Sequence, residues 1–423
     1  MNANIVKSIF AFLLAISAGI VSAATGDVFT WTGAEDNFWT NKNNWAEGKI
    51  PNGMSKAIFD PGEGKTIYIN LRNRGWGSTS TWPNVYEFKS GNVYFSTYIR
   101  YTGNGNTSPG VFYVAEGAKA VISNELFTAN GKACMKKTGK GDLICVGKFA
   151  VNAAIPQVTV EEGLFRYIQG SDATLGKVER VTIKSGATFY PSGGGATLGD
   201  GNLVIAVEKG GIFKASCGGF SYPNTIDHLE GEGTVEQAGS YDYGLKIKGT
   251  TAGEAFSGNF SGNIQVNFMP SDNPVIIGGT ETLSTLNLCT LSDNVRFLPS
   301  EKPYVISSLR LNQAGGKYTA LGTNGNPVSV KVKSRVTISG TDMELAFDKL
   351  YTPEYYGFYW GADNCAITIT KGLYCRTPSV LKNIDTTRKL PAPEGMVMRV
   401  GHNGSKITMM GGELWLKTSD SEC

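Results

Sequence analysis

The sequence predicts an all-β protein built as a right-handed parallel β-helix, a solenoid, with an N-terminal cap. Two observations lead to this prediction: the chain contains 54 glycines among 423 residues, and a short alternating phrase that ends in glycine returns along it at regular spacing. Excess glycine together with many Thr, Val, Ile, Tyr and Phe residues indicates short strands joined by tight turns. An antiparallel β-sandwich with regular turns is the alternative fold.

The repeated phrase reads apolar, any, apolar, any, any, Gly. Its alternation directs both apolar side chains to one face of a strand, and the glycine accepts the bend that follows. Copies ending at Gly163, Gly186 and Gly210 are 23 and 24 residues apart. A constant spacing of about two dozen residues predicts coils that stack strand on strand around one continuous core. The copies are Tyr86/Phe88/Gly91, Phe112/Val114/Gly117, Val158/Val160/Gly163, Val181/Ile183/Gly186, Ile205/Val207/Gly210, Ile367/Ile369/Gly372 and Ile407/Met409/Gly412.

The first 23 residues have the pattern of a secretory signal peptide. Lys7 precedes the small and apolar run of residues 9–21, and Ala23 closes a small-residue cleavage site. The run is shorter than the ~20 residues that cross a bilayer, and no later stretch is long and apolar enough. We therefore expect a secreted or cell-surface protein with no transmembrane segment once residues 1–23 are removed.

The segment after the signal peptide is rich in tryptophan. Trp31, Trp39 and Trp45 lie within residues 24–84, where we expect them to cap the open end of the solenoid. An uncapped solenoid end would expose both the core and a strand edge. Residues 85–423 are expected to form the β-helical repeat region.

Charge and cysteine content narrow the set of partners. The formal net charge is +3, without a basic block, which disfavours nucleic acid and anionic membrane as partners. Seven cysteines are scattered along the chain, and Cys134 with Cys145, and Cys365 with Cys375, are the pairs closest in sequence that could form disulfides. There is no Cys-x-x-Cys and there are two histidines, so we expect no metal site and no cofactor.

Three passages resemble segments of known bacterial surface proteins. Residues 137–144 (Lys-Thr-Gly-Lys-Gly-Asp-Leu-Ile), followed by residues 158–164, resemble the autotransporter-associated β-strand repeat of bacterial passenger regions. Residues 229–235, leading to residues 256–262, look like another copy. The run from Trp31-Thr32-Gly33 to Asn43-Asn44-Trp45 resembles the tryptophan-rich segment that often precedes such repeats. The resemblance implies a β-helical passenger displayed or released at the cell surface, often an adhesin.

One feature departs from the self-exporting members of that group. A self-exporting passenger would end in a membrane β-barrel of alternating strands. Residues 414–423 carry no such pattern. The expectation is therefore either another export route or a relative that uses the repeats without the transporter.

No motif in the sequence identifies a catalytic centre. Hydrolysis of a glycosidic bond usually needs two carboxylates across the bond, yet the acidic residues are dispersed and no Asp-Asp pair occurs. His402, in Gly-His-Asn-Gly, resembles the Gly-His-Gly of some pectin hydrolases, but it lacks their acidic companions, and a turn with an exposed His explains it as well. We expect a structural or adhesin-like protein rather than an enzyme. A polysaccharide lyase or hydrolase-like β-helix is the alternative.

Aromatic residues crowd into residues 351–360. Tyr355, Tyr356, Tyr359 and Trp360 are candidate glycan-binding residues, because aromatic faces stack on sugar rings and Tyr hydroxyls add polar contacts. Packing over a break in the coil explains the cluster too and is the favoured interpretation, since large aromatics usually fill cores. The partners expected of this chain are glycans or cell-surface components, and a glycan-binding module is the second alternative. The sequence leaves the oligomeric state open.

Overall fold

The computed structural model confirms an all-β parallel β-helix. It describes residues 26–71 and 82–96, most of residues 99–261 with short gaps, and beyond residue 261 chiefly the strands. Within that part of the chain the helical structure is one 3₁₀ turn, Lys42–Asn44, and no helix is long and apolar enough to cross a membrane.

Most strands have two to five residues, and the longest are the eight- to ten-residue strands between residues 304 and 375. The first group is β1 (Val28–Trp31), β2 (Lys56–Phe59), β3 (Thr66–Ile69), β4 (Val85–Phe88), β5 (Asn92–Phe95), β6 (Ile99–Tyr101), β7 (Gly110–Val114), β8 (Lys119–Ile122), β9 (Glu125–Thr128), β10 (Met135–Thr138), β11 (Asp142–Val146) and β12 (Lys148–Phe149). The second is β13 (Gln157–Val160), β14 (Gly163–Gln169), β15 (Arg180–Ile183), β16 (Ala187–Gly193), β17 (Val204–Val207), β18 (Ile212–Ser216), β19 (Asn224–Ile226), β20 (His228–Gly231), β21 (Thr234–Ala238), β22 (Tyr243–Ile247) and β23 (Asn259–Ser261). The third is β24 (Gln265–Phe268), β25 (Val275–Ile277), β26 (Asn287–Thr290), β27 (Val295–Phe297), β28 (Tyr304–Leu311), β29 (Lys317–Thr319), β30 (Val330–Ile338), β31 (Glu344–Tyr351), β32 (Phe358–Trp360), β33 (Ala366–Cys375), β34 (Leu390–Pro391), β35 (Met396–Arg399), β36 (Lys406–Met409) and β37 (Glu413–Leu416).

Two nine-stranded parallel sheets form the long faces of the solenoid. Sheet A has the order β1-β2-β4-β7-β10-β13-β15-β17-β20, and sheet B has the order β3-β5-β8-β11-β14-β16-β18-β21-β23. A third face holds the short sheet β6-β9-β12 and the start of a 14-stranded sheet that runs from β19 to the C-terminal strands. Among the described strands only β34–β37 and β35–β36 pair antiparallel, so the antiparallel sandwich is the wrong alternative.

The repeated phrase occupies the inner face of sheet A. The apolar residues of three successive copies, Val158 and Val160 and their counterparts in β15 and β17, are at most 1% exposed. The glycines that follow, Gly163, Gly186 and Gly210, have φ values of 64°, 78° and 84°. Those values lie in the left-handed region that other residues rarely adopt, so the spacing of glycine in the sequence marks where each coil turns from sheet A to sheet B.

The register departs from the simple repeat at one corner. Phe112 pairs through Lys137 with Val160, whereas the phrase would align Phe112 with Val158. The turn from β7 to β8 spans residues 115–118, and the turn from β13 to β14 spans only residues 161–162. Counted between paired positions, Phe112 lies seven residues before Lys119 and Val160 lies four before Leu164, so the longer corner takes up three extra residues while both sheets stay paired.

The N-terminal tryptophans fill the interior at the first coils. Trp39 is fully buried, and Trp31 and Trp45 are at most 8% exposed. The Trp45 ring contacts the rings of Trp31 and Trp39 edge-on at centroid distances of 5.1 and 4.7 Å, and its indole N–H donates to the Trp39 carbonyl at 3.0 Å. Strands β1 and β2 already belong to sheet A, so the tryptophans pack against the first coils of the same continuous stack.

Cys134 and Cys145 are free and buried, so the disulfide suggested by their closeness in sequence is wrong. Cys145 lies on β11 in sheet B, in register with Ile122 and Tyr167, whereas Cys134 lies at the start of β10 in sheet A. The turn between the two strands separates the thiols onto different faces of the coil. Cys365 lies outside the described residues.

Candidate functional site

The aromatic cluster singled out in the sequence is described only in part. Tyr355 and Tyr356 lie outside the described residues, as does His402. Tyr359 and Trp360 belong to β32, which pairs in parallel with the end of β30. The glycan-binding role of these four aromatic residues stays a prediction.

A row of side chains on the outer face of sheet B is the strongest candidate site in the described structure. Its members are register partners on six successive strands, β3, β5, β8, β11, β14 and β16, so they follow one another along the solenoid axis. The residues that flank them within each strand include inward-facing core residues such as Val93 and Leu143, both fully buried. We call this row the outer column; it consists of Tyr68, Tyr94, Val121, Ile144, Arg166 and Tyr190.

The outer column begins with a stacked pair of tyrosines. The rings of Tyr68 and Tyr94 stack with centroids 5.2 Å apart and an interplanar angle of 27°. Tyr68 is 62% exposed, and its strand β3 is the edge strand of sheet B. Tyr94 therefore covers one face of the Tyr68 ring, and beyond β3 the described residues that bond to this edge are 37–39, which pair with Asn70. An aromatic face held in this way can stack on a flat ligand.

The other end of the outer column carries an arginine held by two contacts. The Arg166 Nε donates to the Ser192 hydroxyl at 3.0 Å, and the guanidinium carbon lies 5.0 Å from the ring centroid of Tyr190. No carboxylate in the described part of the chain forms an ion pair with Arg166, whereas the neighbouring Lys214 pairs with Glu236 at 3.2 Å. The terminal N–H groups of Arg166 thus form an oriented fork that suits a carboxylate.

Sheet A presents a different outer face, on which cations are neutralised across coils. Lys56 pairs with Glu87 at 3.0 Å, and Glu161 accepts ion pairs from Lys136 at 3.4 Å and Lys184 at 3.5 Å. Exposed pairs of this kind contribute little stability individually. Lys214 and Glu236 form a pair of the same kind on sheet B, so Arg166 differs from these cations in having no carboxylate partner among the described residues.

A buried polar cluster on sheet A brings together residue types that can perform acid–base chemistry. Glu230 accepts from Arg180 at 2.7 Å and from the backbone N–H of Glu254 at 3.1 Å, and the His228 Nε2 lies 3.0 Å from the Glu254 carbonyl. His228 is fully buried and Glu230 is 6% exposed. Because both side chains are closed off from solvent and engage the backbone of Glu254, the cluster fastens that segment onto sheet A.

Lys137, which opens the first repeat-like passage, points into the solenoid rather than out of it. Its side chain is fully buried, and Nζ donates to the carbonyls of Thr138, Gly139 and Glu162. Burial lowers the pKa of Lys137 to about 8, against the opposing effect of the Asp142 and Glu162 carboxylates. The ammonium ties the turn after β10 to the turn of the next coil.

Sequence reasoning missed the outer column because its members are 22 to 27 residues apart. They become neighbours only through the pairing register. The available signal was the alternation within each strand: Tyr94 lies between the buried Val93 and Phe95, and Tyr68 lies between the partly buried Ile67 and the buried Ile69, so both tyrosines face outward.

In the part of the chain that the structure describes, no group of three His, Cys, Asp or Glu side chains could hold a metal ion. Comparisons of the chain with protein-family models, with curated proteins and with solved structures find no match.

Proposed function

We propose that this chain is a secreted or cell-surface β-helical protein with a structural, adhesin-like role and no catalytic activity of its own. The observation that carries the proposal is the outer column. Its stacked tyrosines, of which Tyr68 is exposed, and its oriented arginine lie on one long regular face, and such a face suits the binding of an extended partner. Burial of the polar cluster around His228 favours binding over acid–base chemistry in the described part of the chain.

Two features of the sequence support the proposed location. Residues 1–23 have the charge, apolar run and small-residue end of a secretory signal peptide. The repeat-like passages resemble those of bacterial passenger regions, and the parallel β-helix is the fold which that resemblance implies. Both features point to a protein that acts outside the cytoplasm.

Export is tested by expressing the full chain in a bacterial host, separating the cell fractions and determining the N-terminus by mass spectrometry. We expect a chain that begins at Ala24 in the extracytoplasmic fractions. The matched control is Leu14→Arg, which places a charge in the apolar run and should leave the chain uncleaved in the cytoplasm. If the unaltered chain also stays uncleaved in the cytoplasm, export is refuted.

Catalysis is tested by incubating the exported chain with a polysaccharide panel that includes polyuronates, with and without added Ca²⁺. We expect no release of products, and we expect the chain to remain bound to whole cells or to at least one polysaccharide of the panel. Product release that disappears on chelation would replace the adhesin-like role with a lyase.

A further inference from the structure

We propose that the outer column binds an extended acidic polysaccharide, with a sugar ring stacked on Tyr68 and a uronate carboxylate held by Arg166. This inference rests on the proposed function, since it assigns the ligand of the same surface. It concerns residues of sheet B and is independent of the aromatic cluster at residues 351–360.

The length of the column determines what kind of ligand can use both ends. Four strand-to-strand steps separate Tyr68 from Arg166. At about 4.8 Å per step, the two residues are roughly 19 Å apart along the axis. A single sugar cannot contact both, whereas a chain of several sugars lying parallel to the axis can.

The middle of the column suits the apolar faces of sugar rings. Val121 is 8% exposed although it faces outward, so the apolar surface between the two ends comes chiefly from the half-buried Ile144. Pyranose rings carry C–H groups on their faces and hydroxyls on their edges. A chain lying on this floor would bury the C–H faces and keep its hydroxyls in water.

The charge of the ligand follows from Arg166. Its Nε is committed to Ser192 and its plane lies over Tyr190, so the side chain loses little further freedom when the terminal N–H groups bind. A planar fork of two parallel donors matches a carboxylate better than a hydroxyl. The absence of an ion-pair partner within the described structure leaves this cation available, unlike those on sheet A.

The experiment measures binding of defined oligosaccharides to the full chain by calorimetry at low and physiological salt. The probes are a galacturonate disaccharide, a galacturonate octasaccharide and an uncharged glucose octasaccharide. We expect the acidic octasaccharide to bind at least about tenfold more tightly than either of the other two, with weaker binding at higher salt because the carboxylate contacts are screened.

Five variants assign the binding to the column. Arg166→Gln should weaken binding of the acidic octasaccharide about tenfold, because it removes a charge-assisted bidentate contact, and Tyr68→Ala should weaken it roughly fivefold through lost stacking. The matched controls lie on the outer face of sheet A: Tyr113→Ala, where Tyr113 is 39% exposed, and Lys184→Gln. Both should bind like the unaltered chain. Arg166→Lys keeps the charge without the fork, so its affinity should lie between those of the unaltered chain and of Arg166→Gln.

Unfolding temperatures of all variants separate lost binding from lost folding. Equal binding of the charged and uncharged octasaccharides, or full binding by Arg166→Gln, would overturn the inference. The inference would also be overturned if no oligosaccharide bound and the chain formed a dimer that Tyr68→Ala dissociates. The column would then be an interface between two copies. A chain that is exported and adheres to cells but ignores every probe refutes this ligand alone, whereas product release from the octasaccharide refutes the proposed function as well.

Discussion

Replacing Lys137 with methionine should change how the stability of the protein depends on pH. The ammonium group is fully buried at an inward position, and burial holds its pKa at about 8, below the ordinary value of 10.5. Between these two values the unfolded chain binds more protons at this residue than the folded chain does. The free energy of unfolding therefore rises with pH through this window, and the gain is lost again as the pH falls through 8.

The magnitude follows from the difference between the two pKa values. A difference of roughly 2.5 units at 1.36 kcal/mol per unit gives a gain of about 3 kcal/mol over the whole window, most of it by pH 10. The buried thiols act in the opposite direction, because burial raises the pKa values of Cys134 and Cys145 above those of the unfolded chain. The contribution of Lys137 must therefore be read as a difference between two proteins that share these cysteines.

The assay is urea unfolding of the unaltered chain and of Lys137→Met between pH 7 and pH 10. We expect the stability of the unaltered chain relative to the variant to increase with pH by about 3 kcal/mol at most. The matched control is Lys140→Met on the same turn, because the Lys140 side chain is 65% exposed and should show no such trend. If the difference in unfolding free energy between Lys137→Met and the unaltered chain did not change with pH, the reasoning would be refuted. The three carbonyls would then keep the ammonium charged without a free-energy penalty.

Three further outcomes are expected from single positions. Gly139→Ala should lower the unfolding temperature more than Gly117→Ala. Both glycines have positive φ, so both substitutions strain the backbone. An added Cβ at Gly139 would also lie 2.3 Å from a carbonyl oxygen of the preceding coil, whereas at Gly117 it meets nothing within 4 Å. Equal falls in unfolding temperature would mean that backbone strain alone destabilises both variants. Cys145 should resist a thiol reagent in the folded chain and react after denaturation, since burial raises its pKa and excludes the reagent. Peptide mapping identifies the labelled residue, and rapid labelling of Cys145 in the folded chain would contradict its burial. Glu230→Ala should cost about 2 kcal/mol in urea unfolding because it removes the buried carboxylate that accepts from Arg180 and from the Glu254 N–H. Glu236→Ala, at a half-exposed pair, should cost less than about 1 kcal/mol.

The coil architecture could be predicted from the sequence because two local requirements recur in every coil. Inward positions such as Val181 and Ile183 must be apolar, and the corner that follows needs a residue such as Gly186 that accepts a left-handed backbone. Both requirements leave a mark at fixed spacing. The two-residue shift at Phe112 could not be predicted, because the length of a corner depends on how adjacent coils pair and carries no local signature of its own.

The interior also contains a lysine that its charge alone would place on an outer face. Lys137 takes an inward position in sheet A between Phe112 and Val160, and it is tolerated there because three carbonyls at the corner accept its hydrogen bonds. Those acceptors come from two different coils. The sequence shows the lysine and the glycines beside it, but it does not show that the next coil would bring the Glu162 carbonyl within 2.9 Å.

Side chains on the outer faces are not constrained by packing in the core, and this is why the candidate site lies there. In a solenoid each inward side chain is fixed by packing against its neighbours, while the outward side chains are free to vary without loss of the core. Where sheet A uses that freedom to join Lys136 and Lys184 to a shared carboxylate, sheet B places an arginine on a tyrosine ring without a carboxylate partner in the described structure. The ion pairs on sheet A connect side chains of neighbouring coils. A ligand lying along the outer column would connect neighbouring coils of sheet B in the same way, through contacts that exist only when the coils are stacked. Binding and stacking are then coupled, so the same ligand that identifies the surface should also stabilise the coils from β3 to β16.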